Sequence, residues 1–273
     1  MDFAATGSRE SLRRARRSLE GVKIVTDIQS YLSSKTYPGR GLVFYKIHNE
    51  KLLAAYWIMG RSANSRNRVF ESIDDGEFKG LGVRTVAADE SKCADPHLII
   101  YNASIEVKDK NVVIITNGDQ TNTIYDAVVS SDCPRNAFQT ALFTRTFEDD
   151  APSFTPRISM MINNKSGQVA LSVLKCTNPN TEGCQRSFFF YDDVAPCTGR
   201  LVSTYVDDGS PLPSFDTEPI VFSGEFVGLD DFSHAIWKNL NNDNKIGLVC
   251  WEFNLADGTY ETKIVNKYEK VGE

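Results

Sequence analysis

The sequence predicts an α+β protein. Short runs rich in Val, Ile, Phe, Tyr and Trp recur along most of the chain, separated by turn residues, and helical spacing is confined to a few segments between them. Neither an internal repeat nor a clear linker divides that pattern. With 273 residues, 41% of them hydrophobic and 24% charged, the chain can bury a substantial core. Many strands with clustered helices favour stacked sheets with the helices outside.

The elements follow in order. Ser8 is placed to cap a helix carrying Leu12, Ala15 and Leu19 on one face and Arg13, Arg14, Arg16 and Arg17 on the other. That face reads either as a basic arm or as a solvated, poorly ordered start. Val22 to Leu32 leads on into a short helix. Tyr37-Pro38-Gly39-Arg40-Gly41 has turn chemistry, since proline presets one backbone angle and glycine permits positive φ. Gly41 to Lys46 and Leu52 to Met59 read as strands joined at Asn49-Glu50-Lys51. Strands are also expected at Val83 to Ala87, Leu98 to Val107 and Val112 to Thr116, the last ending at Asn117-Gly118. Helical spacing covers Thr123 to Ser131, and a second helix starts near Pro134.

An acidic loop, Glu148-Asp149-Asp150, then runs through Pro152 and Pro156 into a strand over Ile158 to Ile162. Asn163 to Gly167 turns the chain back along Gln168 to Leu174. Residues 176–218 are the least regular part, although Phe188 to Tyr191 fits a buried strand and Thr198 to Tyr205 another. Ile220 to Val227 returns to strand, Asp230-Asp231 caps a helix through Leu240, and Ile246 to Leu255 pairs with Thr259 to Asn266 around Ala256-Asp257-Gly258.

Composition narrows the function. The net charge of −6 and pI of about 5.3 argue against general nucleic-acid binding, which needs a broad basic surface. No apolar run is long enough to span a bilayer, so no membrane partner is expected. The N-terminus lacks the apolar centre of a secretory signal. Six cysteines occur without a CxxC pair, and the three histidines are not spaced as a metal pair. The expectation is a cytoplasmic protein with reduced thiols and no structural zinc.

Against that acidic background, Arg40, Arg61, Arg66 and Arg68 stand at the two ends of one hairpin. If the strands pair, the guanidiniums gather at one rim. Arginine suits phosphate because its planar fork makes paired, charge-assisted bonds. The cluster therefore points to a small anionic ligand, unless the arginines are solvated and paired with Glu71, Asp74 and Asp75.

Three blocks in order resemble the archaeal-type IMP cyclohydrolase family, and its bacterial branch in particular. They are Tyr37 to Gly41 with Asn64-Ser65-Arg66-Asn67-Arg68, then Thr116 to Thr121, then the acidic loop into Phe154-Thr155-Pro156-Arg157-Ile158. The resemblance spans roughly residues 37–174 and, more loosely, the C-terminal strands. It implies a four-layer αββα sandwich similar to the N-terminal-nucleophile hydrolases. It also implies closure of 5-formamidoimidazole-4-carboxamide ribonucleotide to IMP in purine biosynthesis, without a cofactor. A single domain over residues 37–273 is expected, with an N-terminal extension at 1–36 and an irregular insertion at about 176–218. A homo-oligomer is expected on general grounds.

Ring closure needs a base for a weakly nucleophilic amide nitrogen, an acid for the departing hydroxyl, and donors for the oxygen that gains charge. The resemblance assigns Tyr101, Glu148, Asn117 and Arg40 to catalysis. Arg61, Arg66, Asn67, Arg68, Thr155 and Arg157 are assigned to substrate or phosphate. The alternatives are that Tyr101 is a core tyrosine, the commoner fate of a strand tyrosine, Asn117 a turn asparagine, and Glu148 a loop carboxylate in a surface ion pair, with Asp149 competing for its position. Ser62, Ser65 and Cys93 lack a visible histidine partner for a covalent route, His97 beside Cys93 reading as structural. The competing functions are a purine-nucleotide-binding regulator without turnover and an amide hydrolase on a related nucleotide.

Overall fold

The computed structural model describes residues 24–271 apart from 26, 74–81, 94–95, 97–98, 179 and 181–182. In chain order its elements are β1 (Ile24–Val25), α1 (Ile28–Ser33), β2 (Gly41–His48), β3 (Lys51–Met59), α2 (Ala63–Arg66), β4 (Val69–Ile73), β5 (Gly82–Val86), β6 (Tyr101–Val107), β7 (Val112–Thr116), α3 (Gln120–Val129), α4 (Pro134–Phe143), β8 (Arg157–Asn163), β9 (Val169–Asn178), β10 (Gly183–Tyr191), β11 (Thr198–Ser203), β12 (Ile220–Ser223), α5 (Leu229–Asn239), β13 (Lys245–Asn254) and β14 (Thr259–Asn266). The predicted Ser8 helix and its four arginines lie outside the described residues.

Two seven-stranded sheets hold the strands. One has the order β1-β12-β11-β2-β3-β13-β14, the other β10-β9-β8-β7-β6-β5-β4. All neighbours are antiparallel except β1 and β12. Successive side chains of a strand point to opposite faces, and here both faces are covered. Leu42, Phe44, Ala54, Tyr56 and Ile58 face a core shared with Tyr101, Val113, Ile115, Ile158 and Met160 of the other sheet. The intervening Val43, Tyr45, Leu53, Ala55 and Trp57 pack under α1 and α5 against Ile28, Leu32, Phe232 and Ile236. On the far side, Val112, Ile114, Met161 and Leu174 meet Ile124, Val128, Phe138 and Leu142 of α3 and α4. Burial on both faces is why these strands read as nearly continuous apolar runs. Each fully buried Leu, Ile or Phe contributes about 1.5–3 kcal/mol. The result is an α+β sandwich of two sheets with helices against both outer faces.

The structure departs from the sequence expectations at identifiable places. The helix expected over residues 22–32 begins only at Ile28, where Asp27 accepts from the backbone N–H groups of Gln29 and Ser30, each at 3.1 Å. The strand expected from Leu98 starts at Tyr101, whose N–H is held by Thr85 Oγ1 at 3.1 Å. The strand from Ile220 stops at Ser223. Asp230 and Asp231 do not cap α5 but lie in its first turn, and Glu252 of β13 accepts the Leu229 N–H at 2.9 Å instead. Residues 176–218 are less irregular than expected, because β10 and β11 belong to the two sheets. The aromatic run 188–191 is only half-buried, because β10 is an edge strand.

Candidate active site

The two sheets converge at one end, where β2, β6 and β8 begin and β3, β7 and β11 finish. A cleft of about 260 Å³ opens there, lined by residues that include Tyr37, Arg40, Arg61, Glu148, Asp150, Thr155 and Tyr205. Two hollows of similar size lie elsewhere, at about 260 and 270 Å³, so volume does not single this one out. Its chemistry does.

Arg40 is positioned by its backbone. Gly39 holds φ at +73°, and a side chain there would run into Thr204 and the Tyr205 ring. The Arg40 N–H donates to Thr204 Oγ1 at 3.1 Å, and its carbonyl accepts the Thr204 N–H at 2.8 Å. The guanidinium then reaches the cleft, its Nε buried and without a hydrogen-bond partner among the described residues. Arg68 is more extreme. It is 0% exposed, and its Nε donates to the Ser65 carbonyl at 2.9 Å. Both terminal nitrogens are buried, and among the described residues neither has a hydrogen-bond partner. Burial, reinforced by the charge of Arg40, holds Arg68 below the ordinary range of an arginine.

The two sheets touch here through two phenols. Tyr56 of β3 and Tyr101 of β6 bring their hydroxyls to 2.6 Å. Burial raises the Tyr101 phenol above its usual range, against the pull of Arg68 and Arg40. Glu148 lies across the cleft, 8% exposed. Burial raises its carboxyl above the usual range despite Arg40 and Arg157, and Arg157 Nη1 stands 4.0 Å from it. Asp149, its competitor, is exposed.

The acidic loop is braced from within. Asp150 accepts from the Thr155 N–H at 2.6 Å and from the Thr155 hydroxyl. Thr155 Oγ1 also lies 2.6 Å from the Tyr205 hydroxyl. A carboxylate only accepts, so the single Thr155 proton goes to Asp150 and Tyr205 must donate to Thr155. Phe154 sits in the left-handed region at φ 41°, with its ring edge-on to Phe147.

The other predicted site residues separate into two groups. Arg61 stays at the mouth, paired with Asp208 and 4.9 Å from the centre of the Tyr37 ring. Arg157 bonds Gln120 Oε1 and Asp119 Oδ1, both at 2.8 Å, beneath Glu148. It passes so close over Gly118 that a Cβ there would strike its guanidinium. Asn117, however, is committed. Its Nδ2 donates to the Pro156 carbonyl at 2.9 Å, and its Oδ1 accepts from Gln120 at 3.0 Å and from the Ile158 N–H at 2.8 Å. Arg66 donates to the Gly60 carbonyl at 3.0 Å and reaches Asn244, and Asn67 exchanges two bonds of 2.8 Å with the Asp89 backbone. The four hairpin arginines therefore do not form one rim. Arg40 and Arg68 converge, Arg61 guards the opening, and Arg66 braces the loop.

Of the acids weighed as arginine partners, Glu71 pairs with Arg84 and Lys270, and Asp74 and Asp75 lie outside the described residues. Ser62 and Ser65 cap α2 through each other. The Cys93–His97 pair falls partly outside the described residues. Among the described residues, no helix is long and apolar enough to cross a membrane, and no group of His, Cys, Asp and Glu gathers to hold a metal ion. Sequence reasoning missed Tyr56, Asp150 and Tyr205. Asp150 lay within a block already singled out, whereas the two tyrosines carry no local signal.

A family model described as IMP cyclohydrolase-like protein matches residues 37–256. No curated protein matches the chain.

Proposed function

The chain belongs to the IMP cyclohydrolase-like family, and from that membership and the chemistry of the cleft we propose that it closes 5-formamidoimidazole-4-carboxamide ribonucleotide to IMP with loss of water. We read its layering as the αββα frame of the N-terminal-nucleophile hydrolases. The observation that carries the reading is Arg68. A fully buried guanidinium with two unpartnered nitrogens beside a second arginine is an unfinished site, and charge arriving on a ligand oxygen finishes it.

The substrate tethers both reactants, so the enzyme's first task is to hold them in line. Arg61 at the mouth takes the 5′-phosphate in place of Asp208. In the addition step the carboxamide nitrogen bonds to the formyl carbon and yields a proton to Glu148. The carbonyl pair moves onto oxygen, which takes the Tyr101 proton while Arg40 and Arg68 balance the charge. In the elimination step Glu148 returns its proton to that hydroxyl, which leaves as water. The nitrogen derived from the formamide then forms the new C=N bond and gives its proton to the Tyr101 phenolate. Both residues are restored. Glu148 suits this exchange because its raised carboxyl is a stronger base than a solvated one and still releases the proton. Exposed Asp149 lacks that advantage. Arg157 orients Glu148, Thr155 anchors the Tyr205 wall, and Asn117, Arg66 and Asn67 support the loops.

Purified protein incubated with the formamido nucleotide should produce the absorbance change of IMP. Tight nucleotide binding with no IMP formed would overturn the reading in favour of a binding protein.

A further inference from the structure

We propose that Tyr56 is a positioning residue of this site: its hydroxyl donates to Tyr101 and thereby aims the Tyr101 proton into the cleft. The inference rests on Tyr101 being the proton donor proposed above, but its argument is independent of the reaction.

Each phenol carries one proton, and the two oxygens lie 2.6 Å apart. Only one can donate to the other. Tyr56 is 0% exposed, enclosed by the core between the sheets, with the Phe70 ring 5.7 Å away. Were Tyr101 the donor, the Tyr56 proton would find no acceptor among the described residues, because the charged groups nearest it, Arg40 and Arg68, only donate, and that is the costly arrangement for a buried hydroxyl. With Tyr56 as donor, its proton is satisfied. The Tyr101 proton is then free to turn toward Arg40 and Glu148, which line the cleft.

The groups facing the Tyr101 phenol are Tyr56 from β3, Arg40 from the turn before β2, Arg68 from the turn before β4, and Glu148 from the loop before β8. Of these, Tyr56 is the neutral donor that steadies the phenolate left after proton transfer. The arginines add charge, and Glu148 opposes it. The register makes the contact: Tyr56 pairs with Leu42 inside one sheet, and Tyr101 pairs with Thr85 inside the other. Only the apposition of the sheets joins them.

The test reads the phenol rather than turnover. With 3,5-difluorotyrosine at position 101, the fluorine resonance follows its ionisation. We expect Tyr56→Phe to move that titration up by about one pH unit, roughly the worth of one hydrogen bond to a charged acceptor. We also expect kcat to fall about tenfold with KM unchanged. An unmoved titration overturns the proposal whatever the activity does. A shifted titration in a protein that makes no IMP supports the dyad and counts against the cyclohydrolase reading alone. Thermal melting gives a second measurement of the donor direction. Tyr101→Phe strands the Tyr56 proton and should lower Tm more than Tyr56→Phe does, and an equal or reversed order overturns the proposal.

Discussion

Burial and the charge of Arg40 both work against the Arg68 guanidinium, and among the described residues neither arginine forms an ion pair. Arg68 has no access to water, so solvent does not relieve the repulsion. A folded chain that tolerates this arrangement gives up stability in its empty state and recovers it when an anion arrives.

The first prediction concerns that exchange. Arg68→Met keeps the length and bulk of the side chain while removing a buried, incompletely partnered charge. In the empty protein it should raise stability by about 1–2 kcal/mol, the cost of the stranded nitrogens less the lost bond to Ser65. It should also abolish the rise in Tm expected when the unsubstituted protein is given IMP. Melting curves with and without nucleotide check both halves, and a destabilised empty variant would show that the charge is compensated in the core.

Glu148 makes the second prediction, through pH. Its folded carboxyl is raised, so it favours the folded state fully below the unfolded carboxyl value of about 4.3, and that advantage is lost as pH rises through the higher folded value. Glu148→Gln has no such loss. The variant should therefore melt above wild type near neutral pH and match it under acid conditions. Its turnover should fall by about 10²- to 10⁴-fold, the usual loss on removing a general acid–base group. A difference of the opposite sign, with the variant melting below wild type near neutral pH, would argue that Glu148 is an ordinary ion-pair partner.

A third prediction divides the cleft by depth. Arg61 is at the mouth and exposed, so Arg61→Ala should raise KM while leaving kcat within a few-fold, the signature of lost uniform binding. In the proposed reaction Tyr101 acts only as the chemistry proceeds, so with Tyr101→Phe kcat should fall about 10²-fold or more with little change in KM. Steady-state kinetics on the two variants separates the roles, and a loss of both parameters together in each would collapse the distinction.

How much of this was legible beforehand depended on whether a feature was local. Gly39 and Arg40 could be read because turn chemistry is written in adjacent residues. The hairpin of β2 and β3 could be read because its apolar runs and its turn are contiguous. Arg66 and Arg68 could not be told apart. They lie two positions apart, yet one braces Gly60 and Asn244 while the other is sealed inside, a difference set by how the chain leaves α2. Tyr56 looked like one more aromatic in a buried strand, and its role exists only because another sheet presents Tyr101 at 2.6 Å. Tyr205 was read as the end of a strand that closes at Ser203, and its contact with Thr155 comes from a loop 50 residues away along the chain. The N-cap of α5 was misplaced because its acceptor comes from β13, on the far side of the chain.

Asn67 supplies the last prediction, because its position inside a matching motif invites a binding role that its contacts do not support. Its side-chain amide accepts the Asp89 N–H and donates to the Asp89 carbonyl, each at 2.8 Å, tying the loop before β4 to the turn after β5. That clip holds the segment from which Arg68 enters the core. Asn67→Ala deletes both bonds and leaves two half-buried backbone groups to find water, for an expected loss of about 1–3 kcal/mol. Nucleotide affinity of the folded fraction should remain close to wild type below the lowered Tm. Asn67→Asp tests the same point from the other side. It keeps the acceptor for the Asp89 N–H but replaces the donor with a carboxylate oxygen that faces the Asp89 carbonyl, so it too should lose stability before it loses affinity. Binding measured by titration at low temperature, set beside melting curves, distinguishes the cases. A large loss of affinity with Tm unchanged would place Asn67 on the ligand instead of on the scaffold.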